Sequence, residues 1–114
     1  MLNQIILVGR IVNELEVKEL GNGKKVSKLT LAITRSYKNM DGEYEVDYIP
    51  VILWTGIAET TAEYCHKGDV VGVKGRVQCK KVDRMLCNRI EQVDELEIVA
   101  EKVTFLSSAR KDEE

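Results

Sequence analysis

The stretch that decides the fold is Tyr44-Glu45-Val46-Asp47-Tyr48-Ile49-Pro50-Val51-Ile52-Leu53-Trp54. It is rich in aromatic and β-branched residues, which is typical of a β-strand. Successive side chains of a strand point to opposite faces. Ile49, Val51 and Leu53 therefore form one apolar face suited to a core. The opposite face carries Tyr44, Val46, Tyr48, Pro50, Ile52 and Trp54.

The aromatic residues of the chain are unevenly distributed. There are one Phe, one Trp and four Tyr, and three of them share the outer face of this single strand. Large aromatic side chains stabilise cross-strand pairs and subunit contacts without any ligand. They also form platforms on which flat ligands such as nucleic-acid bases stack, for about 1–3 kcal/mol per base. The strand alone leaves both explanations open.

Length and composition limit the class of protein. A chain of 114 residues, 44% hydrophobic and 32% charged, predicts one globular domain rather than a multidomain enzyme. It has no apolar run of the ~18–20 residues needed to span a membrane. Because the N-terminus lacks an apolar signal core after a basic start, we predict a cytoplasmic protein without a membrane partner.

The charge is unevenly placed along the chain. The formal net charge is −2, with 13 Lys and Arg against 11 Asp and Glu up to Asn88, and 4 against 8 from Arg89 onward. A nearly neutral body with an acidic end leaves room for a basic groove, but this electrostatic signal for a nucleic-acid partner is weak.

The cysteine and histidine pattern predicts neither a metal nor a cofactor. Cys65, Cys79 and Cys87 include no close pair, which argues against a disulfide framework and a zinc site and predicts buried or inert thiols. The only histidine, His66, lacks a second ligand or nucleophile nearby and is expected at the surface. Without a phosphate-binding glycine loop or a catalytic set, we predict no catalytic residues and no enzyme activity.

Two more strands are predicted before the central one. Residues 3–12 form the first, with Gly9 in its middle, where strands bend or bulge as a small sheet curls into a barrel. The second, residues 25–35, follows a turn at Gly21-Asn22-Gly23 and alternates apolar with polar residues. A hairpin connection ending at Asp41-Gly42 leads into the central strand.

After Trp54 the hydrophobic period becomes helical, over residues 57–65, and Lys67-Gly68 marks the predicted C-terminal end. Residues 70–78 form a fourth strand, whose Val71, Val73 and Val77 face inward. Residues 79–94 are either an extended arm or a hairpin, since they contain no Gly or Pro turn signal. A closing strand covers residues 96–105.

Three strands, one helix and two strands is the element order of an OB-fold. We therefore predict an all-β fold, a five-stranded OB-fold barrel with one short helix between strands 3 and 4. It occupies residues 1–106, and residues 107–114 form a short charged tail.

Several segments also resemble the bacterial single-stranded DNA-binding protein family, in order and in spacing. The resemblance covers residues 1 to about 78 and resumes at about 99–106. It rests on Met1-Leu2-Asn3-Gln4-Ile5-Ile6-Leu7-Val8-Gly9-Arg10, Gly21-Asn22-Gly23, Leu29-Thr30-Leu31-Ala32 and Glu63-Tyr64-Cys65-His66-Lys67-Gly68-Asp69-Val70-Val71-Gly72-Val73-Lys74-Gly75-Arg76.

This resemblance implies binding of single-stranded DNA without strong sequence preference, usually by a homotetramer, during replication, recombination or repair. Tyr37, Tyr48 and Trp54 fall on family positions where aromatics stack with bases. Cations for phosphate are implied at or beside Lys38, Lys67, Lys80 and Lys81. The strand pattern alone adds Arg76 as an outward cation.

The chain also departs from the family pattern. Val82 stands where the family commonly has another aromatic, and Pro50 replaces a polar or basic residue on the binding face. The family's Gly-containing hairpin turn is missing from residues 80–95. The end, Asp112-Glu113-Glu114, lacks the apolar tip that recruits replication and repair enzymes, so that role is not carried over.

Two functions therefore remain in competition. The first is single-stranded DNA binding by stacking on aromatics and by phosphate contacts. The second is an OB-fold protein-interaction or primosome accessory subunit with weak nucleic-acid binding, which the low basicity and the missing aromatic favour. A homo-oligomer is expected in the first case, through a first strand that is apolar on both faces.

Overall fold

The structure, a computed structural model, describes residues 1–108. It contains six strands and one helix: β1 Ile5–Ile11, β2 Lys18–Leu20, β3 Lys24–Lys38, β4 Tyr44–Trp54, α1 Thr55–Tyr64, β5 Val70–Leu86 and β6 Arg89–Ser107. The central strand has the predicted bounds. The short strand β2, which pairs with the start of β3, was not predicted.

Five of the strands close into a barrel. The sheet order is β1-β5-β6-β4-β3, and an additional pairing of β1 with β3 completes the circle. β4 and β6 pair in parallel, whereas the other pairs are antiparallel. Since α1 lies between the third and fourth barrel strands, the predicted OB-fold architecture is confirmed.

The core is formed by the faces that the alternation predicted. Leu29 and Leu31 of β3 are fully buried, as are Val51 and Leu53 of β4. Helix α1 packs against this cluster through Ala58. Each buried aliphatic side chain contributes about 1.5–3 kcal/mol by leaving water. The strand alternation therefore places the core inside and the aromatic face of β4 outside the barrel.

Two glycines let neighbouring backbones approach closely. Near Gly9, the pairing partner of β1 changes from β5 to β3. A Cβ on Gly9 would lie 2.8 Å from the carbonyl oxygen of Ala32. At Gly75 the β5–β6 register shifts, and a Cβ would overlap the carbonyl group of Val99. A side chain at either position would force the neighbouring strands apart, which explains why both positions are glycine.

Residues 79–94 are a hairpin and not an extended arm. β5 and β6 stay in antiparallel register from Cys79 opposite Leu96 to Leu86 opposite Arg89. The turn consists of Cys87 and Asn88, both with positive φ, at 50° and 64°. Two consecutive positive φ values are typical of the tight hairpin turn that follows strand twist. Asn88 thus supplies this turn without a glycine.

Helix α1 ends earlier than predicted. Its last residue is Tyr64, and Cys65 already has an extended backbone with φ of −117°. The helix therefore does not reach Lys67-Gly68. Of the thiols, Cys65 is buried and Cys79 and Cys87 are exposed. Burial raises the pKa of the Cys65 thiol because the thiolate is poorly solvated there.

The last strand ends at Ser107, one residue beyond the predicted domain boundary. Residues 109–114 of the predicted charged tail, with its acidic end, lie outside the described residues. Within residues 1–108 no helix is long and apolar enough to cross a membrane.

Candidate nucleic-acid interface

The outer face of β3 and β4 forms a platform that carries Trp54 at one end of β4 and Tyr48 near its middle. Tyr48 lies opposite Ala32 and Trp54 opposite Val26, and these smaller partners leave 65% of Tyr48 and 39% of Trp54 exposed. At a strand rise of 3.3 Å per residue, the two aromatic residues are about 20 Å apart. Between them the face of β4 carries only Pro50 and Ile52.

The β5–β6 hairpin forms a wall beside this platform. A cavity of about 170 Å³ lies between β4 and the hairpin, lined by Lys28, Pro50, Ile52, Lys80, Val82, Glu95, Leu96 and Glu97. A second cavity contains Trp54 together with Leu20, Val26, Ile52, Gln78, Cys79, Lys80 and Glu97. Ile52, Lys80 and Glu97 line both, so the two cavities adjoin, and we call the pair the platform groove.

The loop after β1 borders the platform on the side away from the hairpin. A cavity of about 310 Å³ is lined by Asn13, Glu14, Glu16, Lys18, Val26, Ser27, Lys28 and Ile52. The side chain of Asn13 holds this loop against β3, accepting a hydrogen bond from the backbone N–H of Thr30 at 2.8 Å and donating one to the carbonyl of Lys28 at 2.9 Å. Ile52 thus lies in the middle of a floor with walls on two sides.

The walls of the platform groove carry both signs of charge. Lys28 and Lys80 lie over its floor, and Glu95 and Glu97 share the same hairpin wall. Arg84 donates to the carboxylate of Glu95 at 3.1 Å, which pairs one of the two negative charges. The groove therefore offers an apolar, partly aromatic floor with few cations, each accompanied by a carboxylate on the same walls.

Tyr37 and Lys38 lie at the outer end of the β3–β4 hairpin. Tyr37 is exposed, and the ammonium of Lys38 is 5.7 Å from the centre of the Tyr44 ring, within range of a cation–π interaction. The register shifts between Thr34 and Lys38. This end of the hairpin therefore presents two further aromatic rings and one cation.

An ion-pair network stiffens the hairpin that presents these rings. Arg35 donates two hydrogen bonds of 3.0 Å to Asp47 and one of 2.6 Å to Glu45. The hydrogen bonds from Arg35 hold the pKa of Asp47 below its usual range. Hydrogen bonding to Asp47 and the two negative charges raise the pKa of Arg35. The network holds β3 and β4 together beyond the barrel core.

The structure does not bring all the sequence-predicted residues into the platform groove. Trp54 and Lys80 line it. Tyr48 lies outside its lining, two residues before Pro50 on the same face of β4. Lys81 follows Lys80 on the strand and points to the opposite face of the hairpin. Lys67 lies in a separate concavity with Tyr64 and Phe105. Among the described residues, Arg76 contacts Glu101 at 3.8 Å and is not among the residues lining the groove.

Most of the residues that line the groove were not predicted, and Lys28, Ile52 and Glu97 are among them. Lys28 and Ile52 face each other across β3 and β4, and Glu97 comes from the distant strand β6. The alternation of each strand already placed Lys28 and Ile52 outward. Their meeting on one floor depended on the register between strands, which a pattern within one strand does not reveal.

The comparisons with known proteins decide the family. Residues 2–106 match the single-strand binding protein family. The chain belongs to this family. Single-stranded DNA-binding protein B of Bacillus subtilis is 40% identical over 106 residues, which cover 93% of this chain and 91% of that protein. The single-stranded DNA-binding protein of Halalkalibacterium halodurans is also 40% identical over 93% of this chain, which spans 61% of that relative.

A solved structure has the same fold. The structure described as a Plasmodium falciparum SSB complex with ssDNA superimposes with a TM-score of 0.75, covering 94% of this chain and 96% of that one at 24% identity. Val82 and Pro50 are the two positions at which the resemblance implied a departure from the family pattern on the binding face. Val82 lines the groove with Pro50, so the two departures from the family pattern meet in one place.

Proposed function

We propose that this chain binds single-stranded DNA without strong sequence preference, by stacking bases on the outer face of β4. The observation that carries the proposal is the exposure of Tyr48 and Trp54 at the two ends of one apolar floor. Family membership and the names of its relatives support it. The role is one of binding rather than catalysis, in the cytoplasm, protecting strands during replication, recombination or repair.

The platform groove suggests how the strand lies. One base stacks on Trp54 and another on Tyr48, while Lys28 and Lys80 approach the phosphates from the two sides of the floor. Tyr37 and Lys38 extend this path along the β3–β4 hairpin. A bound strand reaches three further cations only if it continues around the barrel: Lys67, Lys81 and Arg76.

Titration with oligo(dT) tests this function. We expect quenching of Trp54 fluorescence, because a base stacked on the indole changes its surroundings directly. Affinity should fall as salt rises, since cations released from DNA favour binding at low salt. Unchanged fluorescence and unchanged electrophoretic mobility with a large excess of strand at low salt would refute the proposal.

A second candidate function is a protein-interaction module, and one observation favours it. The tip of the β5–β6 hairpin exposes Met85, Leu86 and Ile90, with Met85 paired directly to Ile90. Adjacent exposed apolar side chains are a common feature of protein contact sites. If oligo(dT) does not bind, a protein-interaction module becomes the favoured function.

We further propose that the protein forms a homo-oligomer, most readily a tetramer, through β1. Ile6 and Val8 on its outer face are 65% and 52% exposed. Val8 and Leu106 flank Gly72 of the adjacent strand, so the apolar surface continues across β5. The β5–β6 hairpin does not cover this surface. A second copy, paired across a two-fold axis, would bury it.

Light scattering at micromolar concentration measures the mass of the oligomer directly. We expect a mass near four chains for the wild type and no more than two chains for the double variant Ile6→Glu, Val8→Glu, because a two-fold interface through β1 would bury four carboxylates that are costly to desolvate. Met40→Glu, at an exposed residue of the β3–β4 turn, is the control and should keep the wild-type mass. A single-chain mass for the wild type, unchanged by DNA, would contradict both the tetramer and wrapping of the strand around it.

A further inference from the structure

One carboxylate lies beside the aromatic end of the platform groove. Glu97 pairs across the hairpin with Gln78, and both line the cavity that contains Trp54. The next residue of β6, Ile98, pairs in parallel with Val51, which holds this part of β6 against the edge of β4. Glu97 is therefore fixed by two strand neighbours at the side of the stacking surface.

The orientation of this carboxylate is also fixed. The side-chain amide of Gln78 donates to Oε1 of Glu97 at 2.6 Å, and Glu97 is half-buried. Within residues 1–108, the other oxygen, Oε2, has neither a hydrogen bond nor an ion pair. Glu95, on the same wall, differs because Arg84 neutralises it at 3.1 Å and because it lines the cavity at Pro50 but not the one at Trp54.

A carboxylate at the edge of a stacked base distinguishes bases by their hydrogen-bonding groups. An ionised carboxylate only accepts hydrogen bonds. Cytosine presents an amino donor at position 4, whereas thymine presents a carbonyl acceptor there. Stacking on an indole is indifferent to this difference. A hydrogen-bond acceptor beside the indole, in contrast, favours the base with the amino group.

We propose that Glu97 accepts a hydrogen bond from the amino group of the base stacked on Trp54, which favours cytosine over thymine at that position. This inference rests on the proposed binding of single-stranded DNA. It adds a base-edge contact from the hairpin wall to a floor that is otherwise insensitive to sequence. The preference is modest, because one contact of this kind acts on one base of the bound strand.

The test compares two variants with end-labelled oligo(dT) and oligo(dC) of equal length, by fluorescence anisotropy at mildly alkaline pH, where cytosine N3 is unprotonated. For Glu97→Gln we expect the ratio Kd(dT)/Kd(dC) to fall about fivefold, near the lower end of what one base-edge contact contributes. The physical reason is that an amide also donates to the carbonyl of thymine. Glu91→Gln removes the same charge from the same hairpin at a residue that does not line the groove, and it should leave the ratio unchanged.

A change of ligand tests the same contact in the wild-type protein. An oligonucleotide of 2-pyrimidinone, which lacks the 4-amino group, should bind more weakly than oligo(dC), and this difference should shrink in Glu97→Gln. Equal ratios in the wild type and Glu97→Gln, with both strands bound, would overturn the role of Glu97 and leave DNA binding intact. Equal wild-type affinity for the 2-pyrimidinone strand and oligo(dC) would also overturn it. Absence of binding to every strand would instead refute the proposed function itself.

Discussion

Gly75→Ala is expected to destabilise the barrel by about 3 kcal/mol or more, at the upper end of what overpacking costs. The added methyl group would overlap the carbonyl of Val99 and lie 3.2 Å from the Cα of Ala100. Both neighbours are backbone atoms of β6, so no flexible side chain can move aside. The β5–β6 pairing that carries the hairpin wall would have to separate at its bulge.

Urea unfolding followed by circular dichroism measures this loss. Gly72→Ala, three residues earlier in β5, is the matched control. Its Cβ would meet the nearest side chain, Leu106, at an ordinary 3.7 Å, so only a small change is expected. Equal free energies of unfolding for the two variants would mean that the bulge at Gly75 relaxes without cost.

Leu53→Ala and Trp54→Ala should have opposite consequences although the residues are adjacent. Leu53 is fully buried, so its truncation leaves a cavity and should lower the free energy of unfolding by about 2–5 kcal/mol. Trp54 points to the platform groove, so its loss should spare the fold and weaken strand binding by about 1–3 kcal/mol. Tyr48→Ala should behave as Trp54→Ala does.

Circular dichroism and anisotropy of a labelled oligo(dT) separate these effects, since Trp54→Ala removes the intrinsic fluorophore. The informative comparison is between stability and affinity for each variant. Similar losses of stability at Leu53, Trp54 and Tyr48 would show that the aromatic rings support the core, contrary to the assignment of faces along β4.

The sequence predicted the core well, because burial within a strand follows its local alternation. Leu29 and Leu31 in β3, and Val51 and Leu53 in β4, occupy the predicted inner face. Gly9 could be singled out for a similar reason, since a missing side chain in an apolar strand indicates close backbone approach. These properties depend on neighbours within a few residues.

Other features escaped the prediction because their signals were weak or distant. The Cys87-Asn88 turn lacks glycine, although Asn tolerates positive φ better than most residues do. The end of α1 at Tyr64 follows from the extended backbone of Cys65, whose buried side chain packs with the core. Tertiary packing here outweighed the local helix-stop signal at Lys67-Gly68.

The sequence by itself determined which side chains point outward on each strand, and with that the exposure of Tyr48 and Trp54. Only the tertiary structure decided which of them share a site. Lys28 and Ile52 meet through the register of β3 and β4, and Glu97 reaches the same groove because β6 pairs in parallel with β4. The physical reason is that alternation is a property of one strand, whereas a groove is formed by strands far apart in the chain, whose register is set by the closed barrel as a whole.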